Sequence, residues 1–174
     1  MRRQEKGFTL IELLIVVAII GIIAAIAVPG LLRARQSGNE ASAIGSVRTI
    51  NSAQATYAAS CGGGGYAQSL ADLAAAPASG GPPFVPPDLG SDGVEKSGFI
   101  FNVDPVGADV LASGSTCNGS AANSKTEFFV EGHPSTVGTT GQRSFASDER
   151  GTIYFDPAGS TMTTANFTTF KILQ

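Results

Sequence analysis

Charged side chains are scarce in this sequence. Asp, Glu, Lys and Arg make up 14% of its 174 residues, and the net charge is −3. A protein that binds nucleic acid by general electrostatic attraction needs an excess of basic residues, so we expect no stable nucleic-acid binding. Few charges, together with many Gly, Ser, Thr and Ala residues, favour an exported, loop-rich domain over a cytosolic enzyme.

Cysteine and histidine are also scarce. The two cysteines, Cys61 and Cys117, fit a single disulfide if the domain lies outside the reducing cytoplasm, and two unrelated reduced cysteines are the alternative. The only histidine, His133, precedes Pro134, and we expect it in a surface loop without a ligand set. No zinc spacing, P-loop, nucleophile elbow or paired catalytic carboxylates occur. The sequence therefore predicts no metal site, no cofactor and no catalytic activity.

The few charges are unevenly distributed. The first seven residues carry a charge of +2, and residues 30–48 carry another +2. Beyond Arg48 there are five basic and eleven acidic residues, which gives −6. The last part of the chain is predicted to be an acidic, soluble head on a stem of different character.

Apolar residues are abundant at the start of the chain. Residues 8–28 include only Thr9 and Glu12 as strongly polar side chains. As a helix this run spans roughly 31 Å, close to the hydrocarbon thickness of a bilayer. Gly21 is its one internal weak point, and Pro29 follows it directly.

Glu12 does not suit a plain membrane anchor. A carboxylate at bilayer depth costs on the order of 3 kcal/mol, so a simple anchor would do without it. An ordinary secretory signal peptide is the other alternative, because a basic start and a small-x-small pattern at residues 25–27 are both present. The apolar run is longer than a typical signal core, and a helical pattern continues beyond Pro29.

The pattern after Pro29 predicts an amphipathic helix followed by a small sheet. Apolar residues recur every three or four positions over residues 44–57, and four glycines at 62–65 end the helix. We expect one long helix over residues 8–59, bent near Pro29, and a short helix over 68–75. Strands are predicted at 98–104, 126–131, 142–147 and 151–156, the last two joined in a hairpin. This is an α+β fold in which the long helix covers one face of an antiparallel sheet, giving a lollipop shape.

The stretch KGFTLIELLIVVAIIG at residues 6–21, followed by Pro29, resembles the class III signal of type IV pilins and type II secretion pseudopilins. The resemblance implies that a membrane-embedded prepilin peptidase cuts between Gly7 and Phe8 and that Phe8 is then N-methylated. It divides the chain into a leader at 1–7, a transmembrane and filament-core helix at 8–29, an amphipathic helical half at 30–60 and a globular head at 61–174.

The resemblance also implies a role for Glu12. In a filament, its carboxylate would meet the Phe8 amine of a neighbouring subunit, whereas pairing with the Phe8 amine of its own chain is the alternative. Gly21 and Pro29 would bracket a segment that loses its helical structure on assembly. A kinked helix is the alternative for that segment.

By this resemblance the chain is a structural subunit of a type IV pilus, with a major pseudopilin of a type II secretion system as the alternative. A membrane-anchored exported binding protein or enzyme is a remote alternative. The implied partners are further copies in a helical filament, the prepilin peptidase, an inner-membrane assembly platform with its ATPase, and an outer-membrane secretin. The subunit would lie in the inner membrane with its head outside the cytoplasm, and then in an extracellular pilus.

The resemblance and local sequence patterns also give expectations for several residues of the head. A Cys61–Cys117 disulfide would link the end of the helix to the sheet region. In many pilins, by contrast, the disulfide links a C-terminal loop. Major pseudopilins carry calcium in a sheet loop, for which Asp148, Glu149 and Asp156 are candidates, with solvated hairpin charges as the alternative. N-glycosylation patterns occur at Asn118 and Asn166.

Overall fold

The computed structural model describes residues 7–173, so the predicted leader lies outside the described residues except for Gly7. The chain divides into two compact units, residues 1–35 and residues 36–174. Helix α1 begins in the first unit and ends in the second, and the remaining helices and strands belong to the second unit, here called the head.

Helix α1 runs over Leu10–Ser60 without interruption, which confirms the predicted long helix. It is helical through Gly21 and Pro29, although Pro29 lacks the N–H that would bond to the preceding turn. The bend at Pro29 and the local loss of helix between these two residues stay predictions.

The glycines after α1 end it as expected. The N–H groups of Cys61 and Gly62 both donate to the Tyr57 carbonyl at 2.8 Å, and Gly63 has a φ of +64°, which favours glycine. The chain can therefore turn away directly after the helix.

The head contains a six-stranded antiparallel sheet in which each strand pairs with its neighbours in chain order. A short helix α2 at Leu70–Ala74 confirms the helix predicted at 68–75, and the predicted α+β fold is likewise confirmed. The strands are β1 (Val94–Lys96), β2 (Phe99–Leu111), β3 (Ser124–Pro134), β4 (Ser144–Asp148), β5 (Ile153–Asp156) and β6 (Lys171–Ile172).

The four predicted strands are present, and the predicted hairpin is formed by β4 and β5. The short edge strands β1 and β6 were not predicted. β1 forms because Ser97 and Gly98 both have positive φ, which makes the two-residue turn that joins it to β2. β2 extends beyond its predicted end, through Pro105. Pro105 lies past the end of β1, on the edge of β2 that has no partner strand there, so its missing N–H breaks no hydrogen bond between strands.

The apolar stripe of α1 packs on one face of the sheet, as predicted. Val47, Ile50 and Tyr57 are fully buried, and Ile44 is partly buried. Burying each such side chain contributes about 1.5–3 kcal/mol. The sheet residues beneath the stripe include Phe99, Phe101, Val103, Phe128, Val130, Phe145 and Ile153.

A second apolar cluster lies on the opposite face of the sheet and was not predicted. Phe129, Ala146 and Tyr154 point away from α1, and Met162 and Phe167 of the C-terminal segment cover them. The sheet is therefore covered on both faces, by the helix on one side and by the chain after β5 on the other.

Glu40 links α1 to the start of β4. Its carboxylate accepts hydrogen bonds from the N–H groups of Gln142 and Arg143 at 2.9 and 3.1 Å, and from Arg143 Nε at 2.9 Å. Burial raises the pKa of Glu40, but these hydrogen bonds and the Arg143 charge outweigh it, so the net pKa lies below the ordinary value. The Arg143 guanidinium also lies over the rings of Phe145 and Phe155, at 5.6 and 5.5 Å.

Gln54 provides a second polar link between α1 and the chain beyond it. Its side-chain amide is fully buried, donates to the Ala67 carbonyl and accepts from the Ala67 N–H, both at 2.8 Å. These two hydrogen bonds satisfy the Gln54 amide and the Ala67 backbone together, so the polar side chain of Gln54 can be buried at little cost.

The predicted disulfide between Cys61 and Cys117 is present. The Cys117 N–H also donates to the Cys61 carbonyl at 3.2 Å. The Asn118 amide donates to the carbonyls of Asp72 and Ala75 at 2.7 and 3.0 Å. The loop between β2 and β3 is thereby fastened to the end of α1 and to α2.

We expect the double variant Cys61→Ser/Cys117→Ser to lose about 4 kcal/mol of unfolding free energy, since the bond closes a long loop. Urea denaturation of the detergent-solubilised full chain measures this loss. A reducing agent should lower the stability of the wild-type chain and leave the double variant unchanged. A loss below about 1 kcal/mol would contradict the expected contribution.

We expect Glu40→Gln to be less stable than wild type at pH 7 and to approach wild type as the pH falls. Because the folded pKa of Glu40 is lowered, its contribution is present above the unfolded pKa and is lost as the pH drops through the folded pKa. Thermal unfolding of both chains between pH 7 and pH 3 measures the difference. A constant difference over this range would show that the Glu40 charge contributes nothing.

Candidate functional site

The amino end of α1 is built around Glu12. Its Oε2 atom accepts hydrogen bonds from the Thr9 N–H at 2.9 Å and from Thr9 Oγ1 at 2.6 Å. In return, the Glu12 N–H donates to Thr9 Oγ1 at 3.3 Å. Since α1 begins at Leu10, Thr9 and Glu12 form a reciprocal capping box.

Sequence reasoning missed Thr9, although the signal was present. A Thr followed three residues later by Glu, directly before an apolar run, is the signature of a capping box. Within the described part of the chain Glu12 bonds to Thr9, and its Oε1 atom accepts no hydrogen bond. Phe8 and Gly7 still share a peptide bond here, so the Phe8 nitrogen is an amide and carries no charge.

The surface around this site is apolar and exposed. Phe8, Leu10 and Ile26 are 80%, 82% and 78% exposed, and none of the most apolar stretch of α1 is buried. This stretch is long and apolar enough to cross a membrane. A continuous exposed apolar surface of this size calls for lipid or another apolar partner.

Comparison with known proteins supports this description of the amino end. A family model described as the prokaryotic N-terminal methylation motif matches residues 2–28, which include Gly7, Phe8, Thr9 and Glu12. The chain carries this methylation motif. The predicted resemblance to type IV pilins and pseudopilins is thereby confirmed for the motif region.

Curated relatives come from both groups. The type IV wide pilus major component PilA4 of Thermus thermophilus is 63% identical over 38 residues, which are 22% of this chain and 29% of that protein. The type IV major pilin protein PilA of Myxococcus xanthus is 43% identical over 54 residues, 31% of this chain and 24% of that protein. The type II secretion system core protein G of Pseudomonas aeruginosa is 41% identical over 56 residues, 32% of this chain and 39% of that protein.

These similarities cover only part of each protein. The matched stretch spans less than a third of the length of either pilin. No solved structure matches the chain. The methylation motif therefore identifies the amino end, while the head is characterised by its own structure.

The three carboxylates considered for calcium do not come together. Asp148 and Glu149 are neighbours at the β4–β5 turn, whereas Asp156 pairs with Ser144 at the other end of the hairpin. The Asp156 carboxylate accepts hydrogen bonds from the N–H groups of Ala158 and Ser160. Between residues 7 and 173, no group of three or more Asp, Glu, His or Cys side chains is placed to hold a metal ion.

The prediction that His133 lies in a loop is wrong, because β3 continues through it. His133 and Glu131 share one face of β3, and His133 Nδ1 lies 3.0 Å from Glu131 Oε2. The Asn102 amide donates to Glu131 Oε1 at 2.6 Å. Burial raises the pKa of Glu131 above its ordinary value.

The two asparagines of the glycosylation patterns are both half-buried. The Asn118 amide donates to the Asp72 and Ala75 carbonyls. Asn166 Oδ1 accepts a hydrogen bond from the Thr163 N–H at 2.9 Å. Both side chains therefore have structural roles in their own loops.

We expect Thr9→Val to loosen the first turn of α1 and Thr9→Ser to preserve it, because serine keeps the capping hydroxyl. Loss of an N-cap costs about 1 kcal/mol, which is roughly a fivefold increase in local opening. Hydrogen exchange of the Glu12 amide, measured by NMR in detergent micelles, reports this opening. Equal exchange rates in Thr9→Val and wild type would contradict the capping role.

Proposed function

We propose that the chain is a structural subunit of a type IV pilus that polymerises through its N-terminal helix. The observation that carries the proposal is an exposed, membrane-length apolar helix inside a methylation motif. Its one carboxylate has an oxygen that accepts no hydrogen bond from residues 7–173. Lipid would cover this surface before assembly, and the helices of other subunits would cover it afterwards.

Maturation would create the missing partner of Glu12. Cleavage between Gly7 and Phe8 by a prepilin peptidase would convert the Phe8 amide into an amine, and N-methylation leaves that amine positively charged. In this proposal residues 1–7 are the removed leader, 8–29 the filament core, 30–60 the amphipathic half of the helix, and 61–174 the part of the head that follows the helix.

The capping box suggests how Glu12 is held until a second subunit arrives. Thr9 donates to Oε2, so the carboxylate is oriented and hydrogen-bonded in the single chain. Oε1 remains for the Phe8 amine of a neighbouring subunit. The resulting pair would offset the burial of both charges and fix the axial register of helices that would otherwise slip.

Gly21 and Pro29 would make the intervening segment the part of α1 that loses helix on assembly. Glycine lowers helix stability and proline removes a hydrogen bond, so the change would cost little there. The segment could then extend while the flanking helical parts stay packed.

The implied partners belong to the assembly machinery. The subunit would lie in the inner membrane with its head outside the cytoplasm, where the Cys61–Cys117 disulfide is stable. An assembly platform with its ATPase would extract it, and the filament would leave through an outer-membrane secretin. A major pseudopilin of a type II secretion system is the second candidate, since a core protein G is among the relatives.

We expect Glu12→Ala to be cleaved normally but to yield more than about tenfold fewer filaments, since it leaves the neighbour's amine unpaired. Glu12→Gln separates charge from capping, because its amide oxygen can still accept from Thr9. If pairing with the amine matters, both variants lose filaments.

The measurements are electron microscopy of sheared surface material and mass spectrometry of the mature N-terminus. Filaments at wild-type numbers in Glu12→Gln would eliminate the pairing role. N-methyl-Phe8 in long surface fibres supports the pilus. Short fibres that appear only when the subunit is overproduced would favour the pseudopilin.

A further inference from the structure

A cavity of about 230 Å³ lies beside the β4–β5 turn and is lined in part by residues of the sheet face opposite α1. Three carboxylates line it, those of Glu127, Asp148 and Glu149, and so do the Arg150 side chain and the rings of Phe129 and Phe167. The cavity therefore combines negative charge with aromatic surface.

The charges of the cavity are only partly balanced. Arg150 Nε lies 3.5 Å from both Asp148 Oδ2 and Glu149 Oε1. Glu127 is exposed and forms neither an ion pair nor a hydrogen bond through its side chain within residues 7–173. The cavity can therefore accept one further cationic group.

The head already contains a site of the same chemistry. Arg143 is held by the carboxylate of Glu40 and lies over the rings of Phe145 and Phe155. A guanidinium suits such a site because it forms planar hydrogen bonds to carboxylates and stacks on aromatic rings. Carboxylates beside aromatic rings are thus the surroundings in which this fold holds an arginine.

One arginine of the head lacks a carboxylate partner. Within residues 36–173, Lys96, Lys125, Arg143 and Arg150 form ion pairs, whereas Arg48 and Lys171 form none. Arg48 is exposed and lines an open cavity of about 610 Å³. The other residues that line this cavity are Thr49, Ser52, Ala53, Thr56, Pro82, Pro83 and Phe84.

We propose that the acidic, aromatic cavity binds Arg48 of a second copy of this chain. Glu127 shares the face of β3 that carries Phe129, which points away from α1, and Arg48 forms no ion pair within residues 36–173 of its own copy. The contact joins two different surfaces head to tail, and such contacts continue into a filament when the rotation does not close. The inference rests on the proposed filament function and names a contact between heads within it.

The charge distribution supports a second copy as the occupant. The chain beyond Arg48 carries −6, so neighbouring heads repel one another unless local contacts offset that repulsion. An arginine facing an acidic cavity provides such an offset and fixes the relative orientation of the two heads.

The test is a charge exchange in cells that assemble the full chain. Arg48→Glu and Glu127→Arg are each expected to reduce sheared filaments by about tenfold or more, and the double variant to recover most of them. Lys171→Glu makes the same charge change at the other basic side chain that forms no ion pair within residues 36–173, and it should assemble like wild type. Combined with Glu127→Arg, it should give no recovery. Immunoblots of the mature subunit in the membrane establish that each variant is folded and processed.

Each remaining outcome overturns the proposal. If Arg48→Glu assembles like wild type, Arg48 makes no required contact. If both single variants fail and the double variant is not rescued, the two side chains do not meet, and the Arg48 surface has another partner. Equal rescue by Lys171→Glu would show a general charge effect. If the processed wild-type chain itself never forms filaments, the proposed function fails and this contact fails with it.

Discussion

The packing of the amphipathic half of α1 on the sheet is the contact on which the head depends. Val47, Ile50 and Tyr57 lie over the aromatic inner face of the sheet and are fully buried. Removing one of these side chains would leave a cavity between the helix and the sheet. Glu40 precedes this stripe and Gln54 lies within it, and each adds a polar link between α1 and the rest of the head.

The amino half of α1 is subject to a different constraint. Its side chains are exposed and apolar, and its one carboxylate is bonded to Thr9. Among residues 7–173, nothing covers this apolar surface and no cation pairs with Glu12. A covering and a cation are supplied together if helices of mature subunits pack side by side, which is why the proposed function begins at this end.

The sequence predicted the parts of the structure that depend on strong periodic patterns. The apolar run, the stripe over residues 44–57 and the glycines at 62–65 gave the helix and its end. Strands β1 and β6 were missed because they are two or three residues long and exist only through pairing with their neighbours. His133 was misplaced because the adjacent Pro134 suggested a loop, whereas Pro134 is the last residue of β3.

The candidate site was predicted less completely than the fold. Glu12 was recognised because a carboxylate in an apolar run costs free energy. Its partner Thr9 was not recognised, although the spacing of the two residues alone would have identified the capping box. The Glu40–Arg143 contact joins residues 103 positions apart. No local pattern indicates such a pair, because it depends on how the helix and sheet meet.

The free edge of β2 has a consequence for the proposed filament, in which each head would lie beside copies of itself. Beyond the end of β1, this edge exposes backbone that a strand from a neighbouring head could join, as happens in β-aggregation. Asp104 and Pro105 occupy that stretch, and the charge of the first and the missing N–H of the second disfavour strand addition. In the proposed filament, neighbouring heads could therefore associate through side chains without joining their sheets.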